Sequence, residues 1–462
     1  MQFPRGISCE NVELVFQQAA DLVIRPLRLG AVDVTAYFID GLTSGAEIAD
    51  FILQPAATLL RGTPEEMLAQ CLNGTIWSAV AKPVTELPAL CSLLVNGFCV
   101  LVFDALAQAV AFEAKSPEKR SIAPPQVENT VKGPKDAFTE TVRTNTSLLR
   151  RHLRSPWLRL YETQVGAETK TNVAVVWLEG TTDPALVERM KKRLASIRVD
   201  GLLTPATVEE SVSGCRPTAF PLLQYTERTD KFSRGLLDGK VGLLVDGLPL
   251  GYLAPTGLSE FLSSPEDRGM DRVSASCVRV LRYLALLVSL LLPGLFAAMA
   301  AFHQEMIPTK LLHAIIESKQ QVPFPMLLEV LGLLAAFEIL QEAGIHLPKG
   351  LGQTVSIIGG LVVGTAAVEA KLISPAALIV VSVAGICGYA LPGRELADAV
   401  RVWRFVLTAA SAAAGLLGLT VGLIVLLVHL GSLESFGESY LRPFDRAGTA
   451  GVGLRREGTR GK

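Results

Sequence analysis

Glu329, Glu338, Glu342 and Glu369 stand in the apolar back half of a 462-residue sequence, where a carboxylate facing lipid is costly and is a functional candidate by default. A ring of such groups, contributed once per subunit, would attract cations. For Glu338 and Glu342 the alternative is a place at headgroup level, since they flank one turn of an amphipathic helix. Close by, Gly352, Ser356, Gly360 and Gly364 fall at successive i+4 positions on one helical ridge, where small residues let a second helix approach. If that ridge lines a pore, Ser356 and Thr365 supply hydroxyls and Val362 or Val363 a hydrophobic gate. Tight helix packing alone would use the same spacing.

Other chemistry is less well served. His303 and Glu305 lie in HQEM, which lacks the HExxH spacing that sets two histidines on one helix face. Gly235 to Lys240 is too short between its glycines for a phosphate loop, and Val241 stands where Ser or Thr would hold magnesium, so an Asp-Gly turn entering a strand is expected. No Ser/His/Asp or Cys/His arrangement emerges. The seven cysteines are irregularly spaced without a CxxC pair, which suggests reduced, structural thiols rather than a disulfide framework or zinc site. The expectation is a protein that is not an enzyme and uses no cofactor or metal. A net charge of -1 without a sustained basic stripe gives no reason to expect nucleic acid.

The acidic residues and the ridge must be positioned by helices. Four charge-free runs, Tyr283 to Phe302, Gly350 to Val368, Leu372 to Gly393 and Phe405 to Val428, each come close to the ~20 residues a helix needs to cross the hydrocarbon core. Phe324 to His346 is a fifth candidate, flanked by prolines, so four or five crossings are expected. Arg268, Arg272, Arg279 and Arg282 precede the first run and put the front half in the cytosol by the positive-inside rule. The opening MQFPRGISCENVEL has no basic region followed by an apolar one, so no cleavable signal is expected either. The last run conflicts with that rule: Arg394, Arg401 and Arg404 precede it and Arg442, Arg446, Arg455 and Arg456 follow it. One crossing cannot leave both clusters inside.

In the front half, VTAYFIDGLTSGAEI from Val34 and VAVVWLEGTTDPALV from Val173 each predict strand, turn and helix, with Ser44 and Asp183 as caps. Val187, Met190, Leu194 and Ile197 give the second helix one face to bury. LLVNG from Leu93 and LLVDG from Leu243 both predict β-hairpins. The fold class expected is an α/β cytosolic region of two tandem subdomains followed by an all-α polytopic membrane domain. The divisions are residues 1–112, a linker and helical connection over 113–164, 165–270, a membrane domain over 271–432, and a tail over 433–462.

The blocks GPKDAFTETVRTNTSLLRRHL (Gly133 to Leu153), TERTDKFSRGLLDGKVGLLVDG (Thr226 to Gly247), FLSSPEDR (Phe261 to Arg268), FHQEMIP (Phe302 to Pro308), VPFP (Val322 to Pro325), FEILQEAGIHLP (Phe337 to Pro348) and GQTVSIIGGLVVGTAAVEAKLISP (Gly352 to Pro375) together resemble the GerA family of spore germination proteins. The resemblance implies the A subunit of a nutrient germinant receptor in the spore inner membrane. It also implies a transporter-like B subunit and a lipoprotein C subunit as partners, contact with membrane lipid, and a homo-oligomeric ring, a pentamer, forming a nutrient-gated cation channel. A branch similar to stage V sporulation protein AF shares the motifs and would act as a membrane scaffold. The sequence departs from the family pattern at Gln341, Thr365 and Lys371, the last standing where relatives usually have Gly.

Overall fold

The computed structural model describes residues 3–30, 32–78, 80–115, 125, 128, 133–214, 218–346 and 364–442. It divides into two compact units, one of Met1–Arg216 with Leu223–Pro255, the other of Pro217–Leu222 with Thr256–Lys462.

The first unit holds two five-stranded antiparallel sheets. In the first, β1 (Leu22–Leu29), β2 (Val32–Ile39), β3 (Ala81–Val84), β4 (Phe98–Phe103) and β5 (Gln108–Glu113) lie in the order β1-β2-β4-β5-β3. In the second, β6 (Leu158–Val165), β7 (Thr171–Leu178), β8 (Gln224–Thr226), β9 (Val241–Val245) and β10 (Gly251–Ala254) lie in the order β6-β7-β9-β10-β8. Strand for strand the two orders are the same, so the tandem α/β reading of the sequence is right at the level of topology.

Every residue of β4 is buried because helices cover both faces of its sheet. Val100 and Val102 join Val12 and Val15 of α1 (Cys9–Val15) and Leu90 and Leu94 of α2 (Leu87–Val95). The alternate residues Cys99, Leu101 and Phe103 face Ile48, Ile52, Met67 and Cys71. In the second sheet Ala174, Val176 and Leu244 pack on Val142 and Leu149 of α3 (Val142–His152) and on Phe232 and Leu236 of α5 (Thr229–Leu237). Between them in sequence, α4 (Pro184–Ser196) buries Val187, Met190 and Leu194 of the predicted stripe, whereas its fourth member, Ile197, lies just past the helix in extended backbone and is half-buried. Ser44 and Asp183 cap as expected, accepting from Glu47 N at 3.3 Å and Ala185 N at 3.0 Å.

One echo is corrected. LLVDG does close the β9–β10 hairpin, but Leu93–Val95 are the last turn of α2, and Asn96-Gly97 turns the chain from that helix into β4. The structural counterpart of Asn96-Gly97 is Asp238-Gly239, which leads from α5 into β9 as the sequence predicts.

The second unit is helical: α6 (Arg272–Phe302), α7 (Thr309–Lys319), α8 (Met326–His346), α9 (Pro375–Tyr389) and α10 (Arg394–Ser432), then a small β11 (Glu434–Ser435) and β12 (Glu438–Ser439) ribbon. Among the described residues, α6 and α10 are long and apolar enough to cross a membrane. The run expected over Phe405–Val428 is not one straight helix. At Ala414 and Gly415 the backbone leaves the helical region, Gly415 with φ 61° and ψ -143°, and the chain folds back on itself. The Trp403 and His429 rings lie 5.7 Å apart, and a Cβ on Gly422 would lie 3.9 Å from that of Ala410. A continuous helix would separate such positions by roughly 18 Å or more, at about 1.5 Å per residue.

Candidate functional site

The helical unit ties its segments with charge. Glu329, on the first turn of α8, has a side chain with no solvent exposure; Lys319 Nζ, at the end of α7, donates to its Oε2 at 2.5 Å and Ser374 N to its Oε1 at 2.5 Å. Ser374 in turn caps α9, its Oγ accepting from Ala377 N at 3.3 Å, with Pro375 at the first helical position. The Leu-Ile-Ser-Pro block, the end of α7 and the first turn of α8 therefore meet through one carboxylate. Two turns further along α8, Glu338 pairs with Arg404 and lies 3.4 Å from Arg401 Nε, both on α10. Because Arg404 is buried, removing Glu338 alone should cost more than removing both partners.

The other predicted residues are placed as follows. Glu342 and Glu369 are exposed; Glu369 lines a cleft of about 450 Å³ with Glu317, Gln321 and Lys371. Lys371 has φ 56°, in the left-handed region that favours glycine, which accounts for the glycine usual there in the family pattern. A Cβ on Gly364 would lie 3.6 Å from Leu378 Cδ2, and Thr365 is exposed on the same helical turn. Gly352, Ser356, Gly360, Val362 and Val363 lie outside the described residues. The basic partners Lys319, Arg401 and Arg404 were not predicted as such. An arginine at the edge of an apolar run is the signal available, but its acid is 66 residues away.

In the first unit the blocks Gly133–Leu153 and Thr226–Gly247 fold onto one another. Arg228, 1% exposed, donates Nε and Nη2 to Asp230, each at 2.9 Å, and Nη2 also to the Pro134 carbonyl at 3.1 Å. Thr229 Oγ1 donates to Asp136 Oδ2 at 2.8 Å and lies 3.0 Å from His152 Nε2, which also contacts Asp136. These are the residue types of a hydroxyl–imidazole–carboxylate triad, but hydroxyl and carboxylate meet the same ring nitrogen. A relay needs one at each nitrogen, so the cluster is built as a structural clasp. Burial opposes the charge on Asp136, yet the hydrogen bonds from His152 and Thr229 outweigh it and hold the carboxyl below its ordinary range. Among the described residues no group of His, Cys, Asp and Glu gathers as a metal site.

Comparison with known proteins agrees with these motifs. The family model described as Bacillus/Clostridium GerA spore germination protein matches residues 10–452. The chain is 34% identical to spore germination protein KA of Bacillus subtilis, over 94% of this chain and 80% of that one. It is 32% identical to spore germination protein GerLA of Bacillus cereus, over 92% and 86%. It is also 34% identical to the uncharacterized membrane protein YfkQ of Bacillus subtilis, over 95% and 86%. Among solved structures, the N-terminal domain of the A subunit of the Bacillus megaterium spore germinant receptor GerK3 is similar at 24% identity and a TM-score of 0.43, covering 55% of this chain and 98% of that one. The match of the family model along nearly the whole sequence, with curated relatives above 30% identity, means that this chain belongs to the GerA family of spore germination proteins.

Proposed function

We propose that this chain is the A subunit of a spore germinant receptor, seated in the spore inner membrane through its helical unit with its front half in the cytosol. As a ring of identical subunits, beside a transporter-like B subunit and a lipoprotein C subunit, it opens a path for cations when nutrient is sensed. The observation that carries the reading is the run of family blocks along the chain, shared with relatives named as spore germination proteins. The pairs Lys319–Glu329 and Glu338–Arg404, each with one partner buried, support it, because in an apolar bundle such charges are kept for a task. On this reading the acidic residues of the helical unit, Glu329, Glu338, Glu342 and Glu369, draw cations, and the ridge from Gly352 to Thr365 forms the gate.

Purified oligomer in liposomes tests this directly. Monovalent cations should pass, and Val363→Ala should raise the leak by widening the apolar constriction. An assembled oligomer that passes no ions, alone or with its partner subunits, would leave a scaffold.

A further inference from the structure

Three stretches of the helical unit meet at segment 258–267. Leu258 N donates to the Tyr440 carbonyl at 2.9 Å, and Ser259 Oγ to the Arg442 carbonyl at 3.3 Å. A Cβ on Gly393, the residue before α10, would lie 3.1 Å from the Phe261 carbonyl. Arg282, where the apolar stretch of α6 begins, donates to Asp267 at 2.6 Å and to the Leu262 carbonyl at 3.1 Å. The start of the α6 span, the start of α10 and the chain after α10 therefore share one end of the unit. At the other end of α6, a Cβ on Gly415 would lie 2.8 Å from His303 Cε1 and 3.0 Å from Phe302 Cβ. The fold-back point of α10 sits where the α6 span finishes.

Lengths agree with this. The apolar part of α6 and the first limb of α10, residues 394–413, are each about 30 Å long, and the second limb, 416–432, about 25 Å. As one straight rod the 39 residues of α10 would run to roughly 58 Å, nearly twice the ~30 Å hydrocarbon core. Backbone groups freed by the fold-back are tolerated at membrane depth only inside protein, and Ser411, Gly415 and Gly418 are buried.

Resting on the reading that this unit lies in a membrane, we infer that α10 is a helical hairpin that enters and leaves by the same face. Its Ala414–Gly415 tip reaches toward the opposite face, and the chain beyond Leu433 returns to the face of Arg282. The basic residues at the two ends of the hairpin, Arg394 before it and Arg442 after it, then fall on one side, as the positive-inside rule requires, while Arg401 and Arg404 lie within the first limb and pair with Glu338.

Two measurements on the full chain test the hairpin and the membrane reading separately. Ala410→Cys with Gly422→Cys brings two Cβ positions to 3.9 Å, within disulfide range. Oxidation should join the two limb peptides within one chain, as read by mass spectrometry. A link found only between chains, or none while both thiols label freely, overturns the hairpin whatever the surroundings. Protease sites are then inserted after Leu203, after Gln320 and after Lys462, and sealed membrane vesicles of both orientations are digested. The Leu203 and Lys462 sites should be cut together in one orientation and the Gln320 site in the other. Cutting of the Lys462 site with the Gln320 site makes α10 a single crossing and overturns the inference. Cutting of all three from one side removes the membrane reading, and the inference with it, even if the disulfide forms.

Discussion

Arg150 donates Nε and Nη2 to the two oxygens of Asp21, each at 2.8 Å, and neither side chain reaches solvent. This fork joins α3 to the residue before β1, so it bridges the two sheets of the first unit. Arg159 lies nearby, its Nη1 donating at 2.7 Å to the Val15 carbonyl at the end of α1. Two buried arginines thus fix how the two halves of the repeat meet.

Asp21→Ala should cost about 3–5 kcal/mol, because it strands a guanidinium in the interior. Arg150→Met combined with Asp21→Ala should cost clearly less than the sum of the single changes. Thermal or denaturant melts of the purified chain in detergent measure both. Additive losses would mean that the fork is not coupled.

Asp136 gives a pH dependence whose sign is fixed. Its carboxyl is held below the ordinary value, so it binds a proton less readily folded than unfolded. The stabilisation is present above the unfolded value of about 3.9 and is lost as pH falls through the lower folded value. Asp136→Asn should remove that acid-sensitive part, flattening the loss of stability below about pH 4. An unchanged acid limb in the variant would exclude Asp136 as its source.

Cys71, Cys91 and Cys99 lie in the core of the first sheet, where burial pushes each thiol to about 12. Only the thiolate is nucleophilic, so these three should resist alkylation near neutral pH in the native chain. Cys277 is exposed and should react first. The buried three should become reactive together as the unit unfolds, which makes timed alkylation a measure of its opening. Early modification of Cys91 alone would show that α2 opens independently.

The repeated strand, turn and helix were legible because the apolar runs VTAYFI and VAVVWL are each followed by Asp-Gly or Glu-Gly with Thr, which marks the turn. LLVNG misled because Gly97 at φ 83° and Gly247 at φ 86° have the same backbone sense, one ending a helix and the other joining two strands. Only the tertiary partner separates those uses. The acidic candidates were legible as costly, but not what neutralises them, since the acid of Arg404 comes from another helix. The fold-back was hidden for a related reason: the Ala-rich sequence before Gly415 and the Leu residues after it favour helix, and it is packing against Phe302 and His303 that selects the break.

Gly418 and Gly431, both in α10, should respond in opposite directions to the same change. A Cβ on Gly418 would fall on the backbone carbonyl of Ala410, across the fold between the two limbs, and also 3.2 Å from the Ala414 Cβ. A carbonyl in a packed limb cannot swing aside as a flexible side chain does, so Gly418→Ala should force the limbs apart and destabilise the unit by roughly 1–3 kcal/mol. A Cβ on Gly431 meets nothing within 4 Å. Gly431→Ala should therefore be neutral or gain up to about 1 kcal/mol from helix propensity, less so near a helix end. Melting temperatures of the two variants in one detergent give the comparison. A straight helix would have no facing limb at position 418, so alanine would stabilise at both positions, and that result would refute the folded-back arrangement.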